Sequence, residues 1–73
     1  MHELRVILVE PLYSGNIGST ARVMSNFGFS SLYLINPRCE IDEFARQMAS
    51  RAQNTLDEIK ICDSIQDAVK DVH

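Results

Sequence analysis

The segment Gly15–Gly28, which reads GNIGSTARVMSNFG, separates two short aliphatic runs and constrains the fold more than any other part of the chain. The runs are Leu4–Val9 and Leu32–Ile35, and their composition is typical of strands buried in a parallel sheet. Parallel strands need a crossover, which is most often a helix. The three segments therefore predict a strand, a helix and a strand with parallel pairing and a right-handed crossover.

The helix between the strands is predicted over residues 17–27 and has an apolar and a polar side. At 3.6 residues per turn, Ser19, Arg22 and Asn26 lie together on the polar side. The apolar side contains Ile17, Ala21, Met24 and Phe27, with Val23 at its edge. Packing on the sheet explains the apolar side, so the polar side near two glycines is the candidate functional surface.

The rest of the chain continues the alternation of helices and strands. A helix is predicted over Asp42–Asn54, and a half-exposed or edge strand over Ile59–Cys62. The apolar residues of this helix lie at core-facing spacing, and Leu56 beyond its end continues the pattern. They are Phe44, Ala45, Met48, Ala49 and Ala52. Arg46 and Arg51 are predicted to be solvated. The pattern from Ser64 to Asp67 indicates a capping box before a last helix, whose apolar residues are Ile65, Ala68, Val69 and Val72.

The predicted fold class is therefore α/β: a Rossmann-like, three-layer parallel sheet in the order β-α-β-α-β-α, with Leu4–Val9 as its central strand. Three strands make a small sheet with exposed edges. The 73 residues are too few for two domains. The chain is thus expected to be the N-terminal part, residues 1–73, of one larger domain.

The two ends of the first helix offer ordinary structural roles for their residues. Pro11 ends the first strand, and Tyr13-Ser14-Gly15 is predicted to be a flexible turn. Asn16 stands where a helix N-cap is expected, and Gly28 is placed to be the C′ glycine. Asn16 has two interpretations, a helix cap and a ligand-binding residue, and the cap is favoured from the residue alone.

The charge of the chain is unevenly distributed. The formal net charge is −3, which argues against a sequence-independent nucleic-acid binder. However, no Asp or Glu occurs from Pro11 to Cys39, a stretch that contains Arg22 and Arg38. A local positive field in this stretch would hold a phosphate even on an acidic chain. Chance in a short sequence explains the same distribution equally well.

The cysteines and histidines indicate neither a disulfide nor a metal site. Cys39 and Cys62 are widely spaced and are interpreted as free thiols in a reducing compartment. His2 and His73 lie at the two termini, so no metal is expected. The first ten residues lack the apolar stretch of a signal peptide or membrane span, and the protein is expected in the cytoplasm.

The glycine-containing segment departs from the two familiar phosphate-binding patterns. Gly18 is followed by Ser19-Thr20 without the lysine of a Walker loop, and the three glycines of a dinucleotide fingerprint are missing. What remains is one arginine between two asparagines, Asn16, Arg22 and Asn26. The guanidinium is suited to clamping an anion, and the amides donate and accept hydrogen bonds. A surface arginine with two capping asparagines is the competing interpretation, which the residues alone favour slightly.

These residues carry a family resemblance. The segment LVEPLYSGNIGSTARVMSNFGFSSLYLINPR resembles the first motif of the SpoU branch of the SPOUT RNA 2′-O-ribose methyltransferases. Its Asn-Ile-Gly, Ala-Arg, Asn-Phe-Gly and Asn-Pro groups are close to those of the TrmJ-type enzymes, which methylate an anticodon-loop ribose of tRNA. The likeness extends weakly over nearly the whole chain.

The resemblance implies S-adenosylmethionine as cofactor, RNA as substrate and a homodimer as the working form. It assigns catalytic roles to Arg22 and Asn16, with Arg22 near the target ribose and its phosphate. Asn16, Ser19, Arg22 and Asn26 are the expected RNA-binding residues, and the role of Asn26 is expected to be mainly structural. The cofactor site of the family lies in a knotted C-terminal half, so the 73 residues are expected to be inactive alone.

Two further interpretations stay open beside the methyltransferase. One is a binding module that holds RNA or a small phosphate through Asn16, Arg22 and the start of the helix, without chemistry. The other is a nucleotide-binding fragment of another α/β enzyme. It is disfavoured because the GxGxxG pattern is incomplete and because Asn36 stands where the second strand of a dinucleotide site usually ends in an acid. Arg51 is a departure from the family, because relatives tend to have glycine at this place.

Overall fold

The structure is a computed structural model that describes residues 4–29 and 31–69. Three strands alternate with four helices in it. The strands are β1 (Arg5–Val9), β2 (Ser31–Ile35) and β3 (Lys60–Cys62). The helices are α1 (Ser14–Asn26), α2 (Glu43–Ala49), α3 (Gln53–Asp57) and α4 (Ile65–Val69). The expectations for His2, Val72 and His73 lie outside the described residues.

The sheet has the strand order β1-β2-β3, and both pairs are parallel. In register, Val6 pairs with Leu32, and Leu34 pairs with Ile61. Parallel pairing is confirmed, but the prediction that the first strand is central is wrong for the described sheet. Its apolar run predicted burial on both faces, but residues 5–8 are only partly buried and Val9 is exposed, as suits an edge strand. The centre is β2, in which Leu32–Ile35 are all buried.

The side chains of β2 alternate between two cores, so the predicted three layers are confirmed. Leu32 and Leu34 belong to the larger core, which residues of α1, α2 and α3 and the intervening Ala52 complete: Ile17, Ala21, Met24, Ala49, Ala52 and Leu56. Tyr33 and Ile35 face the opposite way and pack with Ala68 of α4. At the start of α4, the Ser64 hydroxyl accepts a 3.2 Å hydrogen bond from the Asp67 amide, as the capping pattern predicted.

The single helix predicted over Asp42–Asn54 is wrong, because the chain breaks into α2 and α3 around Ser50. Asp42 is the N-cap of α2 and accepts a 3.1 Å hydrogen bond from the Ala45 amide. Ala45, Ala49, Ala52 and Leu56 are buried as predicted. Phe44 is not, since 55% of it is exposed. Arg46 is not simply solvated either, because its guanidinium bonds Asp57 at 2.9 Å and Gln53 at 3.0 Å.

The end of α1 matches the predicted glycine cap. Gly28 has a φ of +80°, its amide bonds the Ser25 carbonyl at 3.1 Å, and the Phe29 amide bonds the Met24 carbonyl at 2.9 Å. These two bonds form a Schellman motif, which satisfies the last carbonyls of the helix. The apolar side of α1 ends one turn earlier than predicted, because Phe27 lies at the C-cap and is 71% exposed.

Candidate functional site

The first turn of α1 differs from the predicted turn and cap. The helix begins at Ser14, and Tyr13 is the N-cap residue, with an extended backbone and no side-chain cap bond. The predicted flexible turn and the cap role of Asn16 are therefore wrong, because the helix starts three residues earlier than predicted. Asn16 is exposed in the first turn, and its carbonyl accepts a 2.7 Å hydrogen bond from the Thr20 hydroxyl.

Gly15 and Gly18 lie inside α1 and do not form a phosphate-binding loop. Gly18 is buried where α1 crosses α2. A Cβ atom built on Gly18 would lie 2.9 Å from the Met48 Cβ and would meet the carbonyl oxygen of Ala45. The glycine is thus needed for the close approach of two helices, which is the approach that the alanines of α2 indicated.

The packing of α1 on α2 creates an open groove of about 210 Å³ that contains part of the predicted site. Arg22 and Asn26, one helical turn apart, form one wall together with Ser25. The connection between α2 and α3, residues 49–52, forms the other wall. The groove therefore joins the polar side of α1 to a second segment, which lies 23 or more residues later in the chain.

The connection between α2 and α3 is a tight turn with an unusual backbone. The Ala52 amide bonds the Ala49 carbonyl at 2.9 Å, which closes the turn. Ser50 has φ 55° and ψ −113°, a conformation that belongs to the first central position of a type II′ turn and favours glycine. Arg51 occupies the second central position. The Gln53 amide fixes the turn further by donating to the carbonyls of Arg46 and Ser50, each at 2.8 Å.

The five arginines of the chain fall into two groups by their partners. Arg5 donates to the Ala68 carbonyl at 2.7 Å, Arg38 pairs with Glu10 at 3.2 Å, and Arg46 pairs with Asp57. Within residues 4–29 and 31–69, Arg22 and Arg51 have no ion pair or hydrogen-bonded side-chain partner. Both of these line the groove, and both are exposed. The arginines that have no bonded partner among the described residues thus lie at one place.

The remaining predicted residues lie away from this groove. Ser19 lines an apolar hollow on the neighbouring side of α1, together with Val23 and Phe27. Asn16 lies six residues before Arg22, roughly 9 Å along the helix axis. The structure thus brings Arg22 and Asn26 together and separates Asn16 and Ser19 from them. Arg38 adds little positive field, because the Glu10 carboxylate neutralises it.

Arg51 is the residue that the sequence interpretation missed. The sequence pattern assigns it to the solvated side of a continuous helix, whereas the structure places it in the turn between α2 and α3, where it lines the groove. The available signal was the interruption of an alanine-rich helix by Ser50-Arg51.

The carboxyl group of Asp42, the N-cap of α2, has a lowered pKa. The pKa of Asp42 lies below its usual value, because the Ser14 hydroxyl and then the Ala45 amide donate hydrogen bonds to the carboxylate. Asp42 therefore links the start of α2 to the first residue of α1 while it is ionised. Cys39 and Cys62 are both free thiols, as predicted. Among the described helices, none is long and apolar enough to cross a membrane.

Comparison with known proteins places this geometry in one family. The model of the SpoU rRNA Methylase family matches residues 3–73. The tRNA (cytidine-2′-O-)-methyltransferase TrmJ of Methanocaldococcus jannaschii is 44% identical over 69 residues, which cover 94% of this chain. These residues make up 30% of the archaeal protein, so the chain spans less than a third of that relative.

Solved structures agree in fold. A probable methyltransferase from Bordetella pertussis Tohama I is 31% identical and superimposes with a TM-score of 0.92 over 99% of this chain and 45% of its own. TrmJ from Z. mobilis ZM4 is 32% identical, with a TM-score of 0.84 over 97% of this chain and 32% of its own. The three-layer fold is therefore that of one segment of these larger proteins.

Proposed function

The chain belongs to the SpoU rRNA methylase family, and on that basis we propose that the protein containing it methylates RNA at a ribose 2′-hydroxyl. The relatives named as tRNA methyltransferases support tRNA as the substrate, and we place the target ribose in the anticodon loop, as the motif resemblance implies. The proposed place of action is the cytoplasm, and the proposed working form is a homodimer.

The observation that carries the proposal is the position of Arg22. Its guanidinium is exposed on a well-packed helix, without an ion pair among the described residues, and shares the groove with Asn26. A ribose hydroxyl is a weak nucleophile, and a fixed cation beside it stabilises the negative charge that develops as its proton leaves. Arg22 would supply this charge and bind the adjacent phosphate, and Asn26 would orient the sugar-phosphate by hydrogen bonds.

Asn16 and Ser19 have separate parts in the proposal. Both lie on the same helix as Arg22, toward its N-terminal end. An RNA strand laid along α1 from the groove would reach them in turn. We assign to Asn16 the orientation of the reacting nucleotide and to Ser19 a contact with the RNA backbone.

The groove does not fit S-adenosylmethionine, the methyl donor that the family implies. The groove is open, and its apolar lining consists of Ala49 and Ala52, which offer too little surface for an adenosine group. We therefore place the cofactor site in the part of the relatives that this chain does not span. The contribution of this chain is then to hold and activate the RNA.

The test is Arg22→Ala in the full-length protein, assayed with radiolabelled S-adenosylmethionine and tRNA transcripts. Methyl transfer should fall by at least about 100-fold, a typical effect of losing one stabilising group at the reacting oxygen. Cofactor binding, measured by calorimetry, should persist. Lys60→Gln removes one charge on β3, away from the groove, and is the matched control. Full activity of Arg22→Ala would refute the assigned role.

A non-catalytic RNA-binding module is the second candidate, and it is supported by the absence of an adenosine-sized apolar surface in the groove. The intact mass of the protein from its native source distinguishes the two. A mass several times 8.3 kDa leaves room for a cofactor site, whereas a mass equal to that of these residues favours the binding module.

A further inference from the structure

We propose that Arg51 is a further RNA-binding residue, which forms with Arg22 a two-arginine site for one phosphodiester group of the substrate. This inference deepens the proposed function and rests on it. It adds a residue from the α2–α3 turn to a site that the sequence motif confines to α1.

The first argument is the geometry of the groove. Arg22 projects from α1 and Arg51 from the facing turn, so a group in the groove lies between the two side chains. The position of Arg51 is defined by its backbone, because the turn is closed by the Ala52–Ala49 hydrogen bond and braced by Gln53. Because the backbone of the turn is already fixed, binding a ligand orders only the side-chain rotamers of Arg51.

The second argument is the charge. The residues that line the groove include two arginines and no acid, and neither arginine is neutralised within the described parts of the chain. The other three arginines all bond oxygen atoms of the protein. Two uncompensated guanidinium groups that line one groove repel, and an anion bound in the groove relieves the repulsion. The charge of the groove is thus complementary to one anionic group that binds both Arg22 and Arg51.

The third argument is the strain at Ser50. A residue other than glycine is strained at φ 55° and ψ −113°, and such conformations collect at functional sites. The strained residue, Ser50, directly precedes Arg51 and determines the direction in which Arg51 leaves the turn.

The ligand class follows from the shape and lining of the groove. Guanidinium forks match the oxygens of a phosphate. Ser25, Asn26 and Ser50 add polar side chains, and the groove contains no aromatic ring that would stack on a base. An open, polar groove without a base-binding wall reads the RNA backbone and not its sequence. Arg51 is therefore expected to contribute affinity for every tRNA equally.

The experiment compares Arg51→Gln, Arg51→Lys and Lys60→Gln in the full-length protein, with the cognate tRNA transcript and an unrelated tRNA as probes. Arg51→Gln should weaken the binding of both RNAs about tenfold, the lower range for a charged hydrogen bond. It should also reduce the slope of log affinity against log salt by about 1. KM should rise with kcat unchanged, because the contact is equal in ground and transition states.

The variants separate charge from folding. Arg51→Lys keeps the charge and should recover most of the salt slope, whereas Lys60→Gln should leave affinity and slope unchanged. Equal unfolding midpoints of all variants would show that the fold is intact. The inference is overturned if Arg51→Gln binds RNA like Lys60→Gln, even while the wild type transfers methyl groups. Absence of both RNA binding and methyl transfer in the wild type would instead remove the proposed function, and this inference with it.

Discussion

Gly18 in α1 lies directly against the carbonyl group of Ala45 in α2, and this contact sets the distance between the two walls of the groove. Because the opposing atoms belong to a backbone, they cannot rotate away from an added methyl group. Gly18→Ala should therefore destabilise the protein by about 3 kcal/mol, the upper range for overpacking, despite the better helix propensity of alanine. Urea unfolding followed by circular dichroism measures the effect.

The matched control for this substitution is Gly15→Ala in the same helix. A Cβ at Gly15 would lie 2.6 Å from the edge of the Phe44 ring, which is half exposed and can turn aside. The control should be neutral or stabilising by up to about 1 kcal/mol, since alanine favours the helix. Equal losses at both glycines would contradict the assigned role of the Gly18–Ala45 contact.

A second prediction concerns the strained turn. Ser50→Gly should raise the unfolding free energy by about 1 kcal/mol, because glycine adopts the φ of 55° without a steric penalty. Ser50→Ala retains the Cβ atom and should give no gain. Thermal unfolding of the three proteins measures the difference. A loss of stability in Ser50→Gly would show that the serine side chain, and not strain, determines this turn.

The sequence predicts the sheet, its parallel pairing and the polar side of α1 well, because these depend on periodicity within short segments. The β2 run and the Gly28 cap illustrate this, since each is determined by neighbouring residues. Contacts between distant segments were not predictable in this way. Phe44 and Phe27 fit the helical period and are nevertheless exposed, because the neighbouring elements do not extend over them.

The residues of the candidate site also divide into those that local spacing predicts and those that depend on contacts between distant segments. Arg22 and Asn26 were found from their spacing, and the structure places both in one groove. Arg51 was not found, because the continuous apolar period from Ala45 to Leu56 hides the break at Ser50. The break depends on a hydrogen-bond network around Gln53, in which each bond is individually weak and none has a sequence pattern.

A third prediction concerns acid. A carboxyl whose pKa is lower in the folded than in the unfolded state binds fewer protons when folded. The stabilisation by Asp42 is therefore complete above the unfolded pKa, and it is lost as the pH falls from about 4 toward the folded pKa. Asp42→Asn keeps an acceptor for the Ala45 amide and removes the titration. Melting temperatures from pH 7 to pH 2.5 should fall less steeply for Asp42→Asn than for the wild type, and parallel curves would exclude Asp42 as a source of acid sensitivity.

The last prediction concerns Gln53, whose side chain connects α2 to the turn that holds Arg51. Its amide nitrogen donates to the carbonyls of Arg46 and Ser50, and its oxygen accepts from the Arg46 guanidinium at 3.0 Å. Gln53→Ala removes all three hydrogen bonds and should destabilise the protein by about 1–2 kcal/mol, since the carbonyls that lose partners are part-exposed. Amide exchange at Arg51 and Ala52 should accelerate more than exchange in β2.

The same variant tests whether a fixed turn matters for the site. If the brace positions Arg51, then Gln53→Ala should raise KM for tRNA in the full-length protein without changing kcat, as Arg51→Gln does, and the double variant should add little more. Asn54→Ala replaces the exposed neighbouring amide and is the control. Additive effects of Gln53→Ala and Arg51→Gln would mean that the two residues act independently, so that the turn stabilises the fold without positioning the guanidinium.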